Sequence, residues 1–317
     1  MLNYIGRRIL ESIPTLLGVT IITFLLVHLV PSSPARLMLG NHATPQALAR
    51  LSAQMGLNKP LPVQYVLWLG QILHGNLGVS FFMNQPVATL IEQALPRTLA
   101  IVGSATVISF ILSIVQGVFQ AYRRNSAADH SVTVVAYFLY AMPTFWLGVL
   151  LIIIFSFHFQ IFPSGGLTSP GQTSYTFTAW AAHLVLPVFT VVIGSVAFAG
   201  RFMRSSVVEV LVQDYIRTAR SKGLGEWIVV MKHAFRNSLL PLITLFGFSI
   251  PGIFGGALFV EEIYNIPGMG YLFWQAALRE DYPIILGVTL IIGVLTVAGN
   301  LIADLLYAAV DPRIQYN

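Results

Sequence analysis

Residues 98–121 read TLAIVGSATVISFILSIVQGVFQA, a stretch that contains no charged side chain. A helix needs roughly 20 mostly apolar residues to cross the hydrocarbon core of a bilayer. Because no water reaches that core, the backbone polar groups of a spanning segment must pair within their own element, which favours an α-helix. The stretch does not alternate as the strand of a membrane barrel does. It therefore predicts a transmembrane helix.

Five further runs of the same kind lie along the chain, and together they predict six transmembrane helices. Only two formal charges fall within these runs, Glu11 and Asp304, and each lies near the predicted cytoplasmic end of its run. The expected fold class is an all-α polytopic membrane protein. The six runs cover residues 9–30, 98–121, 132–157, 181–200, 238–260 and 284–309.

The composition of the 317 residues agrees with the bilayer as solvent. Charged residues make up 9% and hydrophobic residues 56%, whereas a soluble globular domain carries about 25% charged residues. Intrinsic disorder is excluded, because it requires low hydrophobicity and high charge, and a soluble enzyme is disfavoured. The chain has no cysteine, so it offers no disulfide framework, no thiolate metal site and no thiol nucleophile. The basic residues form no dense tract, which argues against a nucleic-acid partner.

The distribution of lysine and arginine predicts the orientation of the chain. If the N-terminus lies inside, 12 of the 17 positive residues fall on the inner segments and five on the outer ones. Loops rich in lysine and arginine stay on the cytoplasmic side of a membrane. Both termini are therefore expected in the cytoplasm.

Two segments outside the apolar runs are large. Residues 31–97 are expected to form an extracytoplasmic helical insertion between the first and second transmembrane helices. Within it, Thr44 predicts the N-cap of a short helix that ends at Gly56, and a second helix is predicted over Val63–His74. The other segment, residues 201–237, is a cytoplasmic loop that holds seven of the 12 inner positive residues. We call it the basic loop.

The basic loop contains the sequence DYIRTARSKG at residues 214–223. Asp214 suits a helix N-terminus, Arg220 suits a C-terminus, and Gly223 suits a left-handed stop. The pattern predicts a helix of about two turns, which is too short to be stable alone and needs something to dock on. A solvated basic loop that only enforces topology is the alternative that composition leaves open.

No motif in the sequence carries catalytic chemistry. None of the three lysines, Lys59, Lys222 and Lys232, stands in a phosphate-binding Gly-x-x-x-x-Gly-Lys motif, and the seven histidines show no paired spacing for zinc. We therefore assign no catalytic residue, no cofactor-binding residue and no metal ligand, and we do not expect the chain to be an enzyme.

The basic loop resembles the cytoplasmic signature of ABC importer permeases, which reads Glu-Ala-Ala, three residues, then Gly. Ala219 and Gly223 match that general form, and YIRTARSKG at 215–223 is similar to the form of the dipeptide/oligopeptide/nickel subfamily. Motifs along nearly the whole chain resemble the B-type permease of this subfamily. They are YIGRRILESIPTLLGV at 4–19, GLNKPLPVQY at 56–65, GNLGVS at 75–80, LPRTL at 95–99, EEIYNIPGMG at 261–270, DYP at 281–283 and ADLLYAAVDPR at 303–313.

The resemblance implies a type I ABC importer permease fold, with residues 1–317 as a single transmembrane domain in the plasma or inner membrane. It implies a heterodimer with a second homologous permease and docking of an extracytoplasmic substrate-binding protein. It also implies two cytoplasmic ABC ATPase subunits that bind ATP and Mg, so this subunit itself is expected to need no cofactor. Its remaining partner is the lipid bilayer.

The resemblance further implies that the short helix of the basic loop is a coupling helix, which docks in a groove of one ATPase subunit. The residues expected to make or shape that contact are Asp214, Arg217, Thr218, Ala219, Arg220 and Gly223.

The expected function is therefore ATP-driven import of di- or oligopeptides delivered by a binding protein. Nickel chelates, glutathione and oligosaccharides are alternative cargoes within the same subfamily. A secondary transporter or channel is a different class, and it would need an ion site near the middle of the membrane. The six runs hold no carboxylate there, which argues against that class. A membrane-embedded enzyme is disfavoured by the missing catalytic groups.

Overall fold

The computed structural model describes residues 2–29, 33–40, 44–168 and 176–310. Helices account for most of these ranges. In chain order they are α1 (Leu2–His28), α2 (Pro34–Leu39), α3 (Pro45–Gln54), α4 (Leu61–Leu73), α5 (Val87–Tyr122), α6 (Ala127–Ala141), α7 (Thr144–Leu151, continued by a π-helical segment over Ile152–His158), α8 (Phe177–Val210), α9 (Asp214–Ser221), α10 (Glu226–Ile228, continued by a π-helical segment over Val229–Ala234), α11 (Phe235–Ile263), α12 (Met269–Leu278) and α13 (Tyr282–Val310).

A helix lies over each of the six predicted apolar runs, which confirms the all-α class. In the described part of the chain, α5, α8 and α13 up to Ile302 are long and apolar enough to cross a membrane, and α6 with α7 adds a fourth crossing if the bent pair is one span. Leu10–Leu26 of α1 is a shorter apolar helix by the same criterion. Glu11 is exposed on α1, whereas the side chain of Asp304 lies outside the described residues.

The third predicted run, residues 132–157, is not one straight helix. It is broken between α6 and α7, whose axes meet at 104°. Met142 at the break adopts an extended conformation, with φ −73° and ψ 129°. Because the ring of a proline clashes with a helical residue before it, Pro143 accounts for the break at this position.

The two short helices predicted in the insertion are confirmed. Thr44 caps α3, and its hydroxyl accepts a hydrogen bond from the Ala47 N–H at 3.3 Å. Gly56 follows the helix with φ +69°, in the left-handed region that favours glycine. The second helix, α4, begins two residues earlier and ends one residue earlier than predicted, at Leu61 and Leu73.

Two of the long helices extend beyond their apolar runs. α5 begins at Val87, whereas its apolar run begins at residue 98. Glu92 and Arg97 lower the hydropathy of the first turns, so the run excludes these turns although they are helical. α8 continues to Val210, ten residues past its apolar run. The first part of the basic loop is therefore helical, and the connection between α8 and α11 spans residues 211–234.

Contacts divide the chain into two compact units. Unit 1 comprises residues 1–97 and 267–297, and unit 2 comprises residues 98–266 and 298–317. The expectation of a single transmembrane domain stays a prediction.

Within unit 1, a buried carboxylate joins two of the sequence motifs. Asp281 accepts a hydrogen bond from the Ser80 hydroxyl at 2.6 Å and another from the Phe81 N–H at 3.2 Å. A buried charge is tolerated only where polar groups compensate its lost hydration. Because GNLGVS ends at Ser80 and DYP begins at Asp281, this contact gives both motifs a structural role.

Within unit 2, α8 packs against α6, α7 and α11. Tyr264, which follows α11, is fully buried, and its hydroxyl lies 2.9 Å from that of Thr190 on α8 and donates to the Gly148 carbonyl on α7 at 3.2 Å. Buried polar groups that are paired in this way specify one arrangement of the helices around them. The contact positions the middle of α8 against α7 and the end of α11.

Candidate functional site

The predicted two-turn helix of the basic loop is present as α9. Asp214 lies in its first turn and Arg220 in its last turn, where each charge opposes the helix dipole favourably. Lys222 is the C-cap residue, and Gly223 follows with φ +76°. The helix stop therefore depends on a conformation that glycine adopts at little cost.

α9 is seated on the chain itself. Ile216 and Ala219, three residues apart on one face, are 0% and 5% exposed, and they share a buried apolar cluster with Val229 and Ala234 of the π-helical segment before α11. Since an isolated helix of two turns is unstable in water, this cluster accounts for the order of α9. It also ties the helix mechanically to the start of α11.

Arg220 joins the start of the connection between α8 and α11, at Leu211, to Glu226 further along it. Its guanidinium donates to both carboxylate oxygens of Glu226, at 3.0 and 2.6 Å, and to the Leu211 carbonyl at 3.2 Å. The hydrogen bonds from Arg220 lower the pKa of the Glu226 carboxyl below its ordinary value and raise the pKa of the guanidinium. Arg220 therefore serves the shape of the loop, and its donors are already engaged within the chain.

The opposite face of α9 is open and polar. Asp214 and Arg217 form a loose ion pair at 3.5 Å with side chains 96% and 73% exposed, and such a pair contributes little stability. Thr218 is exposed as well, and its hydroxyl donates to the Asp214 carbonyl at 3.2 Å. No atom lies within 4 Å of a Cβ built on Gly223. A partner that approaches this face would meet the side chains of 214, 217 and 218 and the bare backbone of Gly223.

The six predicted site residues thus separate into two groups. Asp214, Arg217, Thr218 and Gly223 lie on the accessible side, whereas Ala219 is buried and Arg220 is bound to Glu226. Whether any of them contacts an ATPase subunit stays a prediction.

Three exposed, largely apolar side chains on α9 and just after it were not predicted from the sequence as candidate site residues. Tyr215, Trp227 and Ile228 are 43%, 55% and 46% exposed. The Tyr215 hydroxyl accepts a hydrogen bond from the Asn237 amide at 2.8 Å, and the Trp227 ring meets the edge of Tyr122 at 5.6 Å between centroids. Large apolar residues rimmed by charge mark protein-binding surfaces. The signal in the sequence was an aromatic residue within an otherwise basic and polar loop.

A buried ion pair near this end of α8 was also missed. Asp129 is 1% exposed and accepts two hydrogen bonds from Arg204, at 2.7 and 2.6 Å. The Asn125 N–H donates to the same carboxylate at 3.0 Å, and the Gln120 amide donates to it at 3.2 Å. The pair joins the α5–α6 turn to the last turns of α8. The sequence does not reveal this ion pair, because its two residues lie 75 positions apart.

Known proteins resemble the chain over its full length. A family profile described as "Binding-protein-dependent transport system inner membrane component" matches residues 113–316, and a second, for the N-terminal part of a binding-protein-dependent transport system membrane component, matches residues 1–102. The oligopeptide transport system permease protein AppB of Bacillus subtilis is 42% identical over 317 residues, covering 100% of both chains. A putative peptide permease protein of Brucella ovis is 42% identical over 318 residues, covering 99% of both.

Solved structures give an independent comparison of the fold. A chain of the MetNI methionine ABC transporter, in an inward-facing crystal form, matches with a TM-score of 0.58 at 17% identity, covering 70% of this chain and 96% of that one. At that identity the likeness concerns the fold alone.

The helical fold and these matches define the class as the membrane-spanning permease subunit of a type I ABC importer. The chain belongs to the family of binding-protein-dependent transport system inner membrane components. It is therefore a multi-pass protein of the inner membrane and not a catalytic enzyme. A system of this family implies a partner ATPase and a substrate-binding protein.

Proposed function

We propose that the chain pairs with a second homologous permease and forms with it the path through which a binding-protein-dependent importer moves di- and oligopeptides. Two cytoplasmic ATPase subunits, which bind ATP and Mg, drive the cycle. Both termini lie in the cytoplasm, so α9 faces the ATPase subunits.

One observation carries the peptide assignment. The match to an oligopeptide transport system permease runs from end to end at 42% identity, and a further relative of similar coverage is named a putative peptide permease. The match therefore spans the six apolar runs and the basic loop of this chain, not merely one module.

The seat of α9 supports its role as the coupling helix. Three residues separate α8 from α9, and Ile216 and Ala219 hold α9 against the segment that leads into α11. A force applied to the open face at Arg217 and Thr218 therefore passes into two long helices without a flexible spacer. That is the arrangement expected of a contact that converts closure of the ATPase pair into movement of the permease.

The energy required is within reach of ATP binding. Reversing a 1:99 ratio of two facing states takes about 5.5 kcal/mol of differential binding. We infer that the partner subunits supply that difference through α9.

The test is uptake of a labelled dipeptide and a labelled pentapeptide into proteoliposomes that contain both permeases and both ATPase subunits. With the binding protein outside and ATP inside, we expect accumulation against the gradient. Accumulation by this chain alone, without ATPase subunits, would contradict the proposal. Accumulation of a nickel chelate or an oligosaccharide but of neither peptide would support the importer function and contradict the assignment of peptides as its cargo.

A further inference from the structure

Two arginines one turn apart on α8 differ in how the chain satisfies them. Arg204 donates to both oxygens of the buried Asp129 carboxylate. Arg201 has no hydrogen-bond acceptor among the residues that the structure describes, and its Nε atom is buried without a partner. An unpaired buried donor of a charged group costs more than an ordinary lost hydrogen bond. Because Arg201 as a whole is only half-buried, its terminal N–H groups can donate to an acceptor from outside the chain.

Aromatic rings hold the Arg201 guanidinium in place. Its central carbon lies 4.4 Å from the ring centroid of Tyr137 and 5.1 Å from that of Tyr140, both on α6. Phe198, one turn earlier on α8, stacks on Tyr140 with centroids 5.5 Å apart and planes at 19°. Stacking on a ring face orients a guanidinium but leaves its in-plane N–H donors unused. The side chain is thus positioned, and its hydrogen-bonding edge remains to be filled.

The two tyrosines add further donors at the same place. Tyr137 and Tyr140 are 56% and 50% exposed, and within the described ranges neither hydroxyl has a hydrogen-bond partner. One guanidinium, which only donates, and two phenol hydroxyls, which can donate as well as accept, face a ligand at this surface. The fitting ligand is an oxyanion, since Arg matches carboxylate and phosphate oxygens with two parallel hydrogen bonds.

The surroundings decide which oxyanion fits. Arg201 is the first residue after the apolar run 181–200, at the level where a membrane helix meets the headgroups. The neighbouring exposed side chains are apolar: Val134, Phe138 and Phe202 are 67%, 65% and 46% exposed. Such a surface suits acyl chains, and tyrosine is enriched where acyl chains give way to headgroups. Basic pockets between membrane helices bind lipid headgroups on the cytoplasmic side.

We propose that this α6–α8 surface is a binding site for the phosphate of an anionic phospholipid. The Arg201 guanidinium donates two parallel hydrogen bonds to phosphate oxygens. The hydroxyls of Tyr137 and Tyr140 donate to the remaining oxygens, and the acyl chains lie over Val134 and Phe138. Because the site shares α8 with the basic loop, its occupancy bears on the helix from which α9 extends.

The experiment titrates the purified full-length chain in detergent with dioleoylphosphatidylglycerol and counts retained lipid by native mass spectrometry. We expect Arg201→Gln to weaken retention about fivefold, the effect of one basic residue at an anionic surface. The matched control is Arg236→Gln, which removes the same charge from the exposed basic loop and should change retention less than twofold. Equal retention by the wild type and Arg201→Gln would overturn the proposal.

Two further variants test the proposal if Arg201→Gln is unstable. Arg201→Lys keeps the charge but loses the fork, and Tyr137→Phe keeps the ring but loses the hydroxyl, so each should fall between the wild type and Arg201→Gln. Wild-type retention by both would count against the geometry. Release of the bound lipid by millimolar inorganic phosphate would assign the site to a soluble anion and reject the lipid.

Discussion

Two short helices outside the apolar runs, α4 and α9, are attached to the molecule by different chemistry. On α4, Tyr65 and Trp68 pack on Phe24 of α1, with ring centroids 5.4 and 5.7 Å apart, and the Tyr65 hydroxyl lies 2.9 Å from that of Thr20. α9 is attached by the buried Ile216 and Ala219 and by the hydrogen bonds of Tyr215 and Arg220. No residue of α4 is buried, whereas Ile216 and Ala219 of α9 are, so ring contacts from half-buried side chains attach α4 and a small buried cluster attaches α9.

The outward faces differ as well. α4 presents Val66, Leu67 and Leu73, which are 66%, 49% and 79% exposed, whereas α9 presents charged and polar residues around Arg217 and Thr218. An apolar outer face suits a bilayer interface, and a polar one suits an aqueous protein groove. The comparison indicates that the outer face of α4 suits the bilayer interface and that of α9 suits an aqueous protein partner.

The largest expected effect comes from a side chain at Gly223. No atom lies within 4 Å of a Cβ there, but the φ of +76° strains any side chain other than glycine, and Gly223→Arg also places an unpaired charge in the proposed ATPase contact. Such a charge costs about 3 kcal/mol or more, a factor above about 100 in coupled transport. Uptake of labelled dipeptide by reconstituted complex measures it.

Gly223→Asn is the matched control, because asparagine tolerates the left-handed conformation. It should retain at least half of the uptake. Normal uptake by Gly223→Arg at normal abundance would remove α9 from the coupling contact.

The next effect tests the seat of α9. Ile216→Ala empties a fully buried position, and truncations of this kind cost about 2–5 kcal/mol. Because the seat is small, we expect α9 to lose order while the long helices persist. Limited proteolysis with trypsin should then cleave after Arg217 or Lys222 at least tenfold faster, and ATP hydrolysis should continue with reduced uptake. Unchanged cleavage of Ile216→Ala would show that α9 is held by something other than this cluster.

On α4 the corresponding change is smaller. Tyr65→Phe keeps the ring contacts with Phe24 and removes the hydrogen bond to Thr20, which costs about 1 kcal/mol. We expect a slightly lower melting temperature in detergent and an unchanged ratio of uptake to ATP hydrolysis. A changed ratio of uptake to ATP hydrolysis would show that α4 takes part in coupling, as proposed for α9, and would contradict the distinction between the two helices.

The smallest effect concerns the ion pair between Arg220 and Glu226. The folded-state pKa of Glu226 is lowered, so the pair stabilises the loop above the ordinary carboxyl range, and that contribution is lost as the pH falls through the lowered value. Both side chains are about two-fifths exposed, and such pairs contribute about 0.5 kcal/mol. Glu226→Gln should lower the melting temperature by about 1 °C at pH 7. The two proteins should melt together once the pH lies well below the lowered pKa of Glu226, and a difference that persists there would contradict the linkage.

Local signals in the sequence identified most of the helices. Continuous apolar runs located all six long elements, and the Thr44 cap and the glycines at 56 and 223 located the ends of the short helices. The family motif also drew attention to the loop that contains α9. These features are predictable because each depends on neighbours within a few residues.

The features that escaped prediction depend on distant partners. The burial of Ala219, the engagement of Arg220 by Glu226 and the ion pair between Asp129 and Arg204 follow from packing, which spacing along the chain does not reveal. The break within the third run, before Pro143, escaped prediction for another reason. Prolines within membrane helices are often tolerated as mild kinks, and the sequence does not say which of them breaks a helix.

The central claim is that the open face of α9 contacts an ATPase subunit while its other face stays within the permease. The chain contains no cysteine, so a single introduced thiol reports without background. Thr218→Cys and Ala219→Cys place that thiol on the open and the buried face, and a short cross-linker with a maleimide for the thiol and a photoreactive benzophenone for the partner, applied to the assembled complex, tests the contact. We predict a cross-link to the ATPase subunit from position 218 and little or none from position 219. Equal cross-linking from both positions, or none from position 218 while the complex still transports, would contradict the account.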